Sequence, residues 1–401
     1  MVHHMGTTGG TPGVVAPRRA FRRRDFLRGV GLAGLGVAGA GLLAACGADP
    51  AASGAGGAPA DGDGSLVWAN WPLSIDTDES GRIPSLEQFT EQTGIKASYV
   101  AEINSNDEWF AKVRPLLESG QGLAASVVSP TDWLAQRMIE LGWTQKLDRG
   151  KLSNAGNLLP AFADPAFDPG RDHTMAWQGW ICGIAVNTEV TGRDIKTVDE
   201  LLTDPDLKGK AALLSELRET VGLLLLSMGA DPGKFTDDEF NGALEKIDKA
   251  LASGQLRKFT GNDYAPDLAK GNLAACFAWA GDVVQLSKDN PKIKFFIPES
   301  GAILIEDVMM IPAHARDPEG AHKLIDYYYD PTVAAQAAAY INAFCPVSGA
   351  QEAMTKVEPE LAENELIFPD AEMMTRMHRF MPLSADQNQT YQDAFNRTTG
   401  L

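Results

Sequence analysis

The run from Arg22 to Cys46 constrains this chain most, because it decides which residues are left to fold. It opens on Arg22-Arg23-Arg24-Asp25-Phe26-Leu27-Arg28. It continues through 17 uncharged, mostly small residues from Gly29 to Ala45 and ends in Leu43-Ala44-Ala45-Cys46. A basic n-region, an apolar h-region and a small-residue cleavage site make an export signal. Arg23-Arg24-x-Phe26-Leu27 is the twin-arginine (Tat) form, an address read by a receptor. Leu-Ala-Ala-Cys has the pattern of a lipoprotein cleavage site, which leaves Cys46 as the first residue with a thioether-linked lipid. The competing reading, a transmembrane helix, fails on length and composition. A span needs about 20 mostly apolar residues, and this run is shorter and rich in Gly and Ala. The expectation is a signal peptide over 1–45 and a flexible linker over 46–64, where no large apolar residue occurs. A folded body then starts at residue 65, held by the lipid to the outer face of the cell membrane.

The body is long for one compact unit and natural for two lobes of about 100–200 residues each. Six of the 35 basic residues but only one of the 53 acidic ones precede Cys46, so the net charge changes from −18 to −23 once the signal is removed. Such a surface repels nucleic acid and anionic headgroups and favours the approach of cations; it also serves plain solubility. Cys182, Cys276 and Cys345 are widely spaced, without a Cys-x-x-Cys, and read as small buried hydrophobes. One disulfide among them is compatible with an oxidising compartment, and the sequence leaves the pair open. The six His show no metal-ligand spacing. Nucleophile-elbow, zinc-protease and phosphate-loop motifs are missing, so neither an enzyme nor a cofactor is indicated.

Apolar strands and helical periodicities alternate along the body. Ser65–Trp71, Ile95–Val100 and Ser126–Val128 read as strands, with helices over Ile83–Thr93, Glu108–Glu118 and Trp133–Leu141. A long extended segment, Met175–Asn187, precedes a second alternation. Its strands are Lys210–Ser215, Leu273–Trp279, Ile293–Ile297 and Gly301–Pro312. Its helices are Val198–Leu202, Glu219–Met228, Asp237–Ala252, Pro318–Tyr329 and Pro331–Tyr340. The pattern predicts an α/β fold with helices on a mainly parallel sheet, the chain crossing between two lobes more than once.

Several stretches carry a resemblance. They are Trp68-Ala69-Asn70-Trp71, Leu86-Glu87-Gln88-Phe89-Thr90 with Thr93-Gly94-Ile95-Lys96, Val127-Val128-Ser129-Pro130-Thr131, Gly183-Ile184-Ala185-Val186-Asn187, and Glu306-Asp307 through Ile311-Pro312. Glu319-Gly320-Ala321 with Lys323-Leu324-Ile325 and Phe368-Pro369-Asp370-Ala371-Glu372 extend it over nearly the whole body. The chain resembles the spermidine/putrescine-binding proteins of ABC importers. That resemblance implies a type II periplasmic-binding-protein fold: two lobes with mixed, mainly parallel sheets, joined by hinge strands that close on a ligand. It places residues 65–181 and 307–352 in one lobe and 182–306 and 353–401 in the other. It also implies a monomer that serves a membrane permease.

In that family the polyamine chain lies against aromatic faces and its ammonium groups meet carboxylates. An unpaired buried ammonium is costly, and a Trp face attracts a cation by about 0.5–2 kcal/mol. The resemblance assigns ligand contacts to Trp71, Thr131, Trp133, Glu216, Glu219, Trp279 and Asp307. Each also has a purely structural reading. Trp71 and Trp279 fit a core. Glu216 and Glu219 open a helix, where acids favour the dipole. Asp307 fits structure least well, because it interrupts an apolar strand. Tyr327-Tyr328-Tyr329 lies within a helix pattern and reads as packing.

The chain also departs from the family. Pro72 and Leu73 stand where a polar residue and an acid follow the first Trp, Ile305 stands for an aromatic two residues before the hinge acid, and Cys345-Pro346 stands where an aromatic contacts ligand. Amine binding in general is therefore better supported than spermidine in particular, with Asp132, Trp177, Trp180, Asp263, Tyr264 and Asp282 as possible substitutes. The alternative is a lipid-anchored surface receptor or adhesin, or a binder of another small solute, that keeps the fold.

Overall fold

The computed structural model describes residues 65–401. The signal, the linker and Cys46 lie outside them. One mixed sheet of ten strands runs through the molecule. Strand β1 (Leu66–Asn70) is buried on both faces, so its first four residues are apolar instead of alternating. Helix α1 (Pro84–Thr93) leads into β2 (Ala97–Ala101), and α2 (Asn106–Glu118) into β3 (Val127–Val128) and α3 (Asp132–Glu140). β2, β1 and β3 are parallel neighbours, as expected of strands joined by helical crossovers.

The middle of the sheet is different. Strand β4 (Thr174–Asn187) and strand β9 (Ala302–Met310) are long and antiparallel, paired from Thr174↔Met310 to Cys182↔Ile303. Between them in sequence come α4 (Val198–Thr203), β5 (Ala211–Leu214), α5 (Leu217–Ser227), α6 (Asp237–Ala252), β6 (Leu256–Thr260), α7 (Tyr264–Ala269), β7 (Ala275–Trp279), α8 (Ala280–Asp289) and β8 (Ile293–Phe296). β7, β5 and β6 are again parallel to one another. The sheet is thus parallel on its flanks and antiparallel where β4 meets β3's side through β9 and β7 on the other.

The two central strands reach into four hydrophobic clusters, and the two largest are the main cores of the lobes. Met175 and Trp177 of β4 and Met309 of β9 pack with Trp68, Phe89, Leu324 and Tyr328. Cys182, Ile184 and Val186 of β4 and Ile303 of β9 pack with Leu213, Leu224, Phe240, Ile247 and Phe277. β4 and β9 are therefore the connections between the lobes. Helices α9 (Pro318–Tyr328) and α10 (Pro331–Ile341) complete the first core. The three adjacent tyrosines are buried in it, donating to the Ser85 carbonyl and the Ala176 carbonyl from Tyr327 and Tyr329, with Tyr328 sharing a hydrogen bond with the Ser85 hydroxyl.

The last stretch departs from the expected return at residue 353. Helix α11 (Ala350–Val357) packs on α10, and Met354, Leu361, Ala362 and Ile367 join the first core. Burying those apolar side chains favours keeping the chain there. The second core takes up Leu383, then Tyr391 and Phe395 of α12 (Ala385–Thr399). A two-residue strand, β10 (Met377–His378), pairs with β9 in between. The three cysteines from Cys182 onward are buried and free.

Candidate functional site

β1 and β3 are parallel, with Ala69 opposite Val128, so Trp71 and Thr131 follow strands that end on the same edge. β9 meets that edge: Thr131 bridges to Asp307, and Gln178 of β4 lies opposite Asp307 on its other side. The junction of the lobes is thus also the place where the predicted residues gather.

Asp307 is buried, 4% exposed. Its Oδ1 accepts from Thr131 Oγ1 at 3.0 Å and its Oδ2 from Trp180 Nε1 at 2.8 Å. Asn106 fixes Thr131 in turn, donating to its hydroxyl at 2.9 Å and accepting its backbone N–H at 3.2 Å. Both partners of Asp307 are neutral. Burial therefore dominates and pushes its pKa up to about 7, with Asp132 and Glu306 adding like-charge repulsion against the two hydrogen bonds.

Asp132 opens α3 beside it. It accepts from the Trp133 N–H at 2.7 Å and from the Glu306 N–H at 3.3 Å. Burial first, and then the Glu306 charge, raise it to about 6. Trp133 is half-buried and presents its ring to Arg218 of the second lobe, whose Cζ lies 4.7 Å from the ring centroid.

Helix α5 supplies the facing acids. Gly222 lets it press on β9, since a Cβ there would stand 2.7 Å from Ile303. That contact seats Glu219, 6% exposed, near the lobe junction. Burial and then Glu216 push Glu219 up to about 8, and Asp132 across the junction adds to the rise. Glu216 precedes the helix and keeps solvent access on one side. Protein crowding on the other, followed by the Asp107 charge, raises its pKa as well.

Trp279 ends β7, with Cys182 of β4 as its strand partner. It is half-buried and its ring centroid lies 6.1 Å from that of Tyr264. The Trp279 N–H donates to the Tyr264 hydroxyl at 3.1 Å, which donates to Asp282 at 2.7 Å. Next to it, Gly281 admits the end of α10. A Cβ there would come 3.0 Å from the Asn342 carbonyl and 3.3 Å from the Trp180 ring. Trp71 is half-buried at the first-lobe edge, and its buried indole N–H has no hydrogen-bond partner among the described residues.

Thr131, Trp133, Glu216, Glu219 and Asp307 thus share one electrostatic neighbourhood built by both lobes. Trp71 and Trp279 stand at the ends of strands that border it, and the hydrogen bonds to the Asp307 carboxylate come from Thr131 and Trp180 instead. Among the possible substitutes, Trp180 and Asp132 lie in the site. Trp177 belongs to the first core, donating to the Ser74 carbonyl at 3.2 Å. Asp263 is an exposed partner of Lys258 at 2.7 Å. Gln178 and Arg218 were not singled out in the sequence. Arg218 was visible there only as the residue between two acids in Glu-Leu-Arg-Glu.

The family described as bacterial extracellular solute-binding protein matches residues 85–369. The spermidine/putrescine-binding periplasmic protein of Escherichia coli (strain K12) is 29% identical over 321 residues, covering 80% of this chain and 88% of that one. The putrescine-binding periplasmic protein PotF of the same organism is 28% identical, covering 73% and 81%. The crystal structure of the spermidine/putrescine ABC transporter substrate-binding protein PotD from Streptococcus pneumoniae superposes with a TM-score of 0.72. It is 23% identical and covers 83% of this chain and 98% of that chain, which establishes the shared fold. With its two cores, its antiparallel connecting strands and a family match over most of its length, the chain belongs to the bacterial extracellular solute-binding proteins.

Proposed function

We propose that this protein binds a polyamine or a related organic cation in the cleft between its lobes and hands it to an ABC permease in the membrane. One observation carries the reading: Asp307 is a buried carboxylate at the lobe junction with no paired cation among the described residues. The charges of Asp132 and Glu306 bear on it, and Asp132 bears in turn on Glu219 across the junction, which is costly for the empty protein and favourable once ammonium groups arrive. In this reading Asp307 pairs one ammonium, and Glu216 and Glu219 pair another. Thr131 orients Asp307, Trp133 forms the cleft wall on which Arg218 lies, and Trp71 and Trp279 cover the methylenes. Trp180 and Asp132 supply part of what Ile305 and Leu73 do not. The names of the relatives, polyamine-binding and periplasmic, support the same ligand class and an extracytoplasmic location. They also favour a transport component over an enzyme.

The Tat-type signal and Cys46 support delivery and anchoring by lipid. Among the described residues no helix is long and apolar enough to cross a membrane. The protein works as a monomer, as its relatives' two-lobed fold suffices for a site. The test is calorimetry with putrescine, spermidine and a neutral sugar. Saturable binding of the amines is expected; binding of the sugar with no response to amines would overturn the assignment.

A further inference from the structure

Arg218 stands between Glu216 and Glu219 in sequence, but its guanidinium turns into the lobe junction. It lies over the Trp133 ring of the opposite lobe, with Cζ 4.7 Å from the centroid. One nitrogen donates to Asn388 Oδ1 of α12 at 2.7 Å, which fixes the direction of the side chain. Its charge is shared among Asp132, Glu219, Asp107 and Glu216, two acids from each lobe. A cation over an aromatic face, in the field of acids from both lobes, is what this cleft would offer a guest ammonium. The position is already taken by the chain itself.

We infer that Arg218 is a resident cation of the cleft, standing in for one ammonium group and so lowering by one the positive charge that a guest brings. The inference rests on the amine reading above. A guest that brings one more ammonium must place it near the guanidinium, where two like charges in a partly desolvated site repel strongly. Arg218 is thus a specificity-determining residue: it sets guest charge, whereas Asp307 decides that the guest is a cation. Its guanidinium carries its charge throughout the working pH range.

The test compares putrescine, with two ammonium groups, and spermidine, with three, by calorimetry on the detergent-purified full chain. Arg218→Met keeps the stem over Trp133 and removes the charge. It is expected to raise the spermidine-to-putrescine affinity ratio by at least about tenfold, the scale of one charge–charge contact at such a site. Arg218→Lys keeps the charge and is expected to hold the ratio within about threefold of the wild type. If the Met variant does not fold, Arg218→Gln gives the same comparison. A ratio that stays put or moves toward putrescine in the neutral variant overturns the inference alone. Wild-type protein that binds neither amine overturns the amine reading and this inference with it.

Discussion

Glu306 and Asp307 are neighbours on β9, yet their side chains leave opposite faces of the strand. Glu306 is fully buried and meets two cations supplied by the chain: Arg171 at 2.5 Å and Arg379 at 2.9 Å. Arg171 also donates to the Phe162 carbonyl and the Thr174 hydroxyl. Asp307, equally hidden, meets a hydroxyl and an indole. One carboxylate has been neutralised from within, and the other has been left to be neutralised from outside. The difference separates a charge kept for architecture from a charge kept for a ligand. It also explains why the two acids should respond oppositely to mutation.

The largest expected effect is on the architectural side. Glu306→Ala leaves Arg171 buried and unpaired, and denaturant unfolding should show a loss of about 3–5 kcal/mol. Asp307→Asn should cost little stability, since a neutral side chain of the same shape no longer carries a desolvated charge. It should instead weaken putrescine by at least about tenfold in calorimetry. Equal losses of stability in the two variants would erase the contrast.

The pH dependence sharpens it next. Asp307, Asp132 and Glu219 have folded pKa values near 7, 6 and 8, all above the ordinary carboxylate range. A raised carboxyl pKa means the folded state binds more protons, so its contribution to stability is full below about pH 4 and is lost as pH rises through these values. The ligand-free protein should therefore lose thermal stability between about pH 4 and 8 from this cluster. Amine affinity should run the other way, rising from pH 6 to 8.5, because the ligand selects the ionised carboxylates. The smallest effect is expected for Trp180→Phe, which removes one neutral donor from Asp307. A several-fold change in amine affinity, with an upward shift of the Asp307 pKa seen by NMR, would fit one lost hydrogen bond.

Asp307 was legible in the sequence because a carboxylate within Ile303–Met310 needs a reason to be there. Glu216 and Glu219 were legible as acids at a helix start. What they face depends on the approach of α5 to β9 through Gly222, a tertiary contact without a sequence pattern. Trp180 was harder. A register shift between Ala176 and Gln178 sets which β4 side chains share a face with Asp307, and strict alternation does not reveal it. Arg218 was hidden by its surroundings, since an arginine among acids at a helix terminus reads as a solvated ion pair. Strand β6 was missed because Arg257 and Lys258 break its apolar pattern at a sheet edge. The parallel flanks followed from the alternation of strands and helices. The antiparallel centre did not, because β4 and β9 are joined by a whole lobe.

The central claim is that ionisable groups of the cleft wait for a cation from outside. The most direct measurement is the number of protons released when putrescine binds at pH 7, read by calorimetry in buffers of different ionisation enthalpy. The account predicts saturable binding with net proton release, reduced in Asp307→Asn. Binding without proton release, or with proton uptake, would contradict it.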